Sequence, residues 1–294
     1  MNGSSRLIDS LTAPRLGFFG SKEAFRTTDS AQGTTLKDRR LVEMIGVNFH
    51  FGTKTILANF DLQIAVGERL VLIGPSGIAK STVLRILLGT LKPDSGRILL
   101  NGVEIDHLGR QQLNRIRTHI GMVFQSSALI SSLTVFENLA LPLRELTDKS
   151  EPEIRAIVEE KLHFVDFDRA RFSMPAELSR GMKKRVAIAR SLVLNPDLIL
   201  FDEPTTGLDP IVARQVSNLI LDLNVKAGTT ILVVTHDLPA AFHIATRIAL
   251  LSHGSIVESG SPAAIKTSPN AIVTEFLATA SEETPPVPQM EAGA

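Results

Sequence analysis

The chain has 294 residues, 44% of them hydrophobic, with 31 basic residues set against 31 acidic ones and no cysteine. That supports a packed core within one large α/β domain and gives no footing for a polyanionic partner such as nucleic acid. The missing cysteine excludes disulfides and thiolate-held metals, and no run reaches the ~18 apolar residues of a membrane span.

Residues 1–40 are rich in Ser, Thr and Gly and lack the apolar segment of a secretory signal. A disordered tail is expected there, with an organelle transit peptide as the alternative. Leu41 to Asn101 reads as strand-rich, with Gly67-Glu68 as a turn and Asn101-Gly102 as a hairpin turn. Within it lies the apolar strand Arg69-Leu70-Val71-Leu72-Ile73, then Gly74-Pro75-Ser76-Gly77-Ile78-Ala79-Lys80-Ser81-Thr82, then an apolar helix starting near Lys80. Strand, glycine-rich turn, Lys-Ser and helix make a phosphate-binding loop. Its backbone N–H groups and the helix N-terminus face an anion. Lys80 reaches the β- and γ-phosphates and the Ser81 hydroxyl holds Mg²⁺. Ala79 departs from the glycine usual before the lysine. A negative φ at Ala79 is expected, since the helix starts there; then Ala79→Gly lowers stability slightly and leaves turnover alone. A positive φ would strain the loop, and glycine would tighten ATP binding.

Ile120-Gly121-Met122-Val123-Phe124 is a buried-strand pattern ending at Gln125. A mostly helical insert follows from about Ser126 to Lys184, with a helix-like stretch from Glu151 to Phe164. At its end, Leu178-Ser179-Arg180-Gly181-Met182 opens a helix. Ser179 is the N-cap, and Gly181 lets backbone N–H groups approach an anion. Lys183-Lys184-Arg185 reads as a solvated helix face. Leu198-Ile199-Leu200-Phe201-Asp202-Glu203 is an apolar strand closing on two carboxylates, at the sheet edge where α/β folds bind ligands. Asp202 suits Mg²⁺ and Glu203 suits a general base; strand-end carboxylates that cap the next turn are the plainer reading. Another strand runs from Thr230 to Thr235 before His236, and Ser252 to Ser255 reads as a late turn. Strands alternating with helices favour a parallel core sheet. The proline-bearing residues 279–294 are expected to be disordered.

Leu178 to Met182 and the basic helix after it resemble the signature sequence of ATP-binding cassette (ABC) ATPases. The resemblance runs from about Leu41 to Ile265. It holds in order the phosphate loop, Gln125, the signature, Asp202-Glu203, Gly207-Leu208-Asp209 and His236. It implies a P-loop cassette: a RecA-like core with a mainly parallel sheet, an antiparallel β subdomain and a helical signature subdomain at about 126–184, within a domain spanning 41–278. It further implies ATP and Mg²⁺, and a head-to-tail homodimer in which Ser179 and Gly181 close over the second subunit's nucleotide. Gln125 then contacts Mg²⁺ or the attacking water, His236 orients that water, and Asp209 lies at the dimer seam. Phe51 takes the place of an adenine-stacking aromatic, with Phe49 as the competing candidate. Arg180 and Met182 depart from the commoner Gly and Gln. Phe124 to Leu129, Leu133 to Arg144 and the signature resemble the Mla-type ATPases. That subgroup implies lipid transport with integral-membrane permeases and an MCE-domain lipid-binding protein. It places the chain at the cytoplasmic face of the inner membrane, or alternatively at the stromal face of a plastid envelope. An importer of amino acids or small solutes is the runner-up, and a non-transport ABC protein the more distant alternative.

Overall fold

The structure, a computed structural model, describes residues 39–75, 77 and 79–282. The expected N-terminal tail up to residue 38, the chain beyond residue 282, and Ser76 and Ile78 of the phosphate loop lie outside the described residues.

Two sheets organise the chain. Strands β1 (Arg40–Phe51), β2 (Lys54–Ala65), β4 (Ser95–Leu100) and β5 (Val103–Glu104) form a four-stranded antiparallel sheet in the order β2-β1-β4-β5. Gly52, at φ 58°, supplies the left-handed turn between β1 and β2. The second sheet has six strands: β3 (Arg69–Ile73), β6 (Ile120–Val123), β7 (Leu198–Asp202), β8 (Thr230–Thr235), β9 (Arg247–Ser252) and β10 (Ser255–Gly260), ordered β10-β9-β3-β8-β7-β6. All neighbours pair in parallel except the edge strand β10 on β9.

The near-continuous apolar runs of these strands follow from burial on both faces. Val71 and Ile73 of β3 join Ile199, Phe201, Ile231 and Val233 in one core. Leu70 and Leu72 join Leu198, Leu200, Leu232 and Val234 in the other. The first core is covered by helices α3 (Val135–Leu146), α4 (Glu151–Phe164), α5 (Arg180–Leu192), α6 (Pro210–Ala227) and α7 (Leu238–Ile244); the second by the antiparallel sheet with α1 (Lys80–Leu87) and α2 (Arg110–Arg117). A short α8 (Pro262–Lys266) leads to α9 (Ala271–Glu282). The disorder expected from residue 279 is therefore corrected as far as Glu282. Val273 of α9 is buried in the first core and Phe276 and Leu277 pack against it, so apolar contact carries the helix past that boundary.

Register places the site. Ile73 pairs with Thr235, Asp202 with Val234, and Val123 with Phe201. The residues after Ile73, Val123, Asp202 and Thr235 therefore converge at one edge of the sheet, its C-terminal edge.

Candidate functional site

Helix α1 starts at this edge without a cap of its own. Its N-cap is Ala79, which offers no side-chain hydrogen bond, and its first turn holds no acid. Elsewhere Thr134, Ser179, Asp209, Asp237 and Ser261 each accept a backbone N–H from the first turn of the helix they open. The leading N–H groups of α1 are thus left for an outside acceptor, and the dipole favours an anion.

Ala79 sits at φ 69°, so the expected negative φ is corrected. The chain enters the helix through a left-handed residue. Alanine is strained there where glycine would not be. Gly77, at φ 78°, is left-handed too.

Lys80 is buried, and its Nζ donates to Gly74 O at 2.7 Å and Pro75 O at 3.0 Å. It lies 3.8 Å from Glu203 Oε1. Desolvation pulls its pKa down, while the charges of Glu203 and Asp202 push it up. The next side chain, Ser81, donates its hydroxyl to Asp202 Oδ1 at 2.8 Å. Burial raises the Asp202 pKa and the bond from Ser81 opposes that rise. Thr82, half-buried, completes this first turn.

Glu203 has a left-handed backbone, φ 46°, and its N–H donates to Val234 O at 2.9 Å. Its Oε2 accepts the hydroxyls of Thr235 and Thr206, each at 3.0 Å, and the His236 N–H at 3.4 Å. His236 Nδ1 is 3.0 Å from the same oxygen. One carboxylate oxygen is therefore fixed by neighbours while the other is turned toward Lys80. The two threonines that hold it escaped the sequence reading, although Thr235 stands directly before His236 at the strand end.

A hydroxyl beside one carboxylate at a phosphate-binding loop is an oxygen donor set that suits Mg²⁺, which takes few protein ligands and completes its shell with phosphate and water. Among the described residues no cluster of three or more His, Cys, Asp or Glu is placed to hold a metal by itself.

The remaining expected residues stand apart from this cluster. Ser179 Oγ accepts the Met182 N–H at 3.3 Å and caps α5, as expected. Gly181 is buried, and a Cβ there would meet Val212 Cγ1 of α6 at 2.5 Å. Its lack of a side chain thus first serves helix packing. Arg180 Nη1 donates to Gly207 O at 3.3 Å. Asp209 caps α6 through the Val212 N–H at 3.0 Å. The Gln125 side chain is exposed just past β6. Phe51 is half exposed at the end of β1, edge-on to Phe49 with centroids 4.9 Å apart; Phe49 is buried, so Phe51 is the exposed ring of the two.

Lys184 is not on a solvated face. Only 3% of it is exposed, and its Nζ donates to the carbonyls of Gln125 at 2.7 Å, Phe124 at 3.1 Å and Glu203 at 3.4 Å. Desolvation brings its pKa down to about 8, against the raising influence of Asp202 and Glu203. The signal was available in the helix period: Gly181, Lys184 and Ile188 are spaced to share the buried side of α5.

Comparison with known proteins identifies the family. The family model described as ABC transporter matches residues 57–206. The intermembrane phospholipid transport system ATP-binding protein MlaF of Escherichia coli K12 is 41% identical over 237 residues, covering 81% of this chain and 88% of that protein. A Mycobacterium leprae protein named "Probable ribonucleotide transport ATP-binding protein mkl" is 41% identical over 236 residues, covering 80% of this chain and 68% of that one. Among solved structures, the dimeric post-hydrolysis cassette MJ0796 with ADP and Pi bound has a TM-score of 0.69 at 35% identity, spanning 75% of this chain and 98% of the other. CbiO1 of Clostridium perfringens, part of a cbiONQ transporter complex, has a TM-score of 0.73 at 28% identity, spanning 83% and 99%. By the family model and these relatives, the chain belongs to the ABC transporter family, as an ATP-binding, ATP-hydrolysing subunit.

Proposed function

We propose that the chain energises movement of phospholipid or another lipid by integral-membrane permeases, and that the sheet-edge cluster is its hydrolytic site. One observation carries the site assignment: Glu203 lies between Lys80 and His236, one residue past the Ser81–Asp202 pair. The phosphate loop from Gly74 to Thr82 would cradle the ATP phosphates, with Lys80 exchanging its two loop carbonyls for phosphate oxygens. Ser81, Asp202 and the Gln125 side chain would hold Mg²⁺, which when bound neutralises charge on the phosphates. Glu203 takes a proton from the attacking water, and His236 places that water and the γ-phosphate. Phe51 stacks on the base. Ser179, Gly181 and Asp209 act on the nucleotide of a second copy, since their contacts in this chain run along α5 and α6.

The lipid cargo rests on the likeness to MlaF, which this chain spans more fully than it spans the mycobacterial relative named for ribonucleotides. No helix among the described residues is long and apolar enough to cross a membrane. A permease that receives the segment from Ser126 to Glu145 would hold the chain peripherally at the inner membrane, with an MCE-domain protein as a further partner. The relatives named here are bacterial and give the stromal alternative no support.

Two measurements test this. Glu203→Gln should keep ATP affinity and slow turnover by roughly 10²–10⁴, the usual worth of a general base. Near-normal turnover would remove Glu203 from the role. Purifying the tagged chain with its membrane subunits and analysing the extracted cargo should return lipid; a small polar solute instead would move the protein to the importer reading.

A further inference from the structure

Buried Lys184 and partly buried Arg190 are two cations on α5 that serve the same stretch of chain. Arg190, six residues on and therefore roughly 9 Å further along the helix, donates from Nη1 to Ala128 O at 2.7 Å and from Nη2 to Ser127 O at 3.0 Å. Lys184 takes the carbonyls of Phe124 and Gln125. Four of the five carbonyls from Phe124 to Ala128 thus end on α5. The segment needs that grip, because Ser127 and Ala128 are both left-handed, at φ 66° and 46°, and neither is glycine. Lys184 has a third bond, to the carbonyl of Glu203, itself a left-handed residue. Its three donors are therefore spent on backbone oxygens, with no carboxylate among its hydrogen-bond partners. A buried ammonium satisfied this way locates main chain and does not act as one half of an ion pair.

We propose that Lys184 and Arg190 are positioning residues for hydrolysis. From α5 they clamp the backbone of residues 124–128, and Lys184 clamps Glu203 as well, so that Gln125, the Glu203 carboxylate and the helix carrying Ser179 and Gly181 move as one body. Closure of a second subunit on the N-terminus of α5 is then felt at this chain's own Gln125 and Glu203. The proposal rests on the hydrolytic reading of Glu203.

The test uses the full chain in complex with the membrane subunits that co-purify with it. Lys184→Met keeps length and apolar bulk but removes all three donors; Arg190→Met does the same for the outer pair. Each should lower kcat by up to the order of 10²-fold, as displaced catalytic groups do, while KM and nucleotide affinity stay near wild type. Lys184→Arg should recover part of the loss. In the wild-type complex, amide hydrogen exchange should show peptides of residues 124–128 and of α5 gaining protection together when ATP is added. Unchanged kcat in both Met variants, beside a Glu203→Gln variant that is inactive, overturns the proposal and leaves the site reading standing. An active Glu203→Gln variant would instead remove the reading beneath it. If a Met variant fails to fold, the exchange measurement on the wild type decides: protection that changes in α5 without change in 124–128 overturns the clamp.

Discussion

The two helix N-termini proposed to meet phosphate are built in opposite ways. The start of α1 is open: its N-cap is an alanine, it has no side-chain acceptor, and its lysine is folded back onto the loop's own carbonyls. The start of α5 is closed: Ser179 caps it and the Gly181 position is filled by Val212. An open helix end keeps several N–H groups in need of an acceptor, so it holds a binding site ready-made. A closed end is content alone and must be presented to a ligand by something else. The contrast supports one division of labour, with α1 binding nucleotide within the chain and α5 answering a nucleotide delivered by another.

The largest test of the contrast strikes the packing at α5. Gly181→Ala puts a methyl group 2.5 Å from Val212 Cγ1, and a β-branched valine has little freedom to swing away. Overpacking of this kind should cost about 1–3 kcal/mol. Val212→Ala should return most of that stability in the double variant, with a clear coupling in the thermodynamic cycle. ATPase activity should stay low in the double variant if the added methyl also blocks the second subunit's phosphate. Full recovery of activity would confine Gly181 to packing.

A smaller change separates the two duties of Ser179. Ser179→Ala should lose about 1 kcal/mol of stability, the usual worth of an N-cap, and should also weaken the ATP-bound dimer. Ser179→Asp keeps an acceptor for the Met182 N–H, so its melting temperature should stay near wild type, yet its charge opposes an approaching phosphate. Light scattering with ATP in the Glu203→Gln background should then find the Asp variant monomeric though well folded. A dimer of normal strength would show that this helix end never meets nucleotide.

How much of this could be read beforehand differs along the same line. The open end was legible, because a glycine-rich turn between an apolar strand and a Lys-Ser helix start is a local pattern. So were Asp202, Glu203 and His236, which the strand periodicity places at one edge, and α4, expected as a helix-like stretch from Glu151 to Phe164 and found with those bounds. What stayed hidden depends on contacts distant in sequence. The helix period puts Lys184 on the buried side of α5, but its carbonyl partners emerge only when the ends of β6 and β7 are laid against that helix. Thr206 and Thr235 are ordinary polar residues until they meet on one carboxylate oxygen. Gly181 reads as an anion-facing glycine until Val212 arrives from α6. The sign of φ at Ala79 was also out of reach, because it depends on where the helix takes over from the loop, and a shift of one residue reverses the expectation.

The subtlest test lies at that residue. Ala79 at φ 69° carries roughly 1–2 kcal/mol of left-handed strain that glycine would not have. Against this, glycine adds roughly 0.4–1 kcal/mol of freedom to the unfolded chain. The Ala79 methyl also packs against the second core, and its loss takes back part of the gain. The net expected from Ala79→Gly is a rise in stability of a few tenths to about 1 kcal/mol, opposite in sign to what a helical φ would give. Nucleotide affinity is a separate matter. The strain is present before ATP arrives, so it cancels from binding if the loop keeps its shape, and affinity should then move little while the melting temperature rises. A many-fold tightening of ATP would show instead that the methyl presses on the phosphates or that the loop turns on binding. A fall in stability would show that residue 79 is helical in solution and that the helix starts one residue earlier. Thermal unfolding with and without ATP, on the same two proteins, separates the three outcomes. It also tests the open helix end itself, since only a loop already shaped for its ligand gives a gain in stability without a gain in affinity.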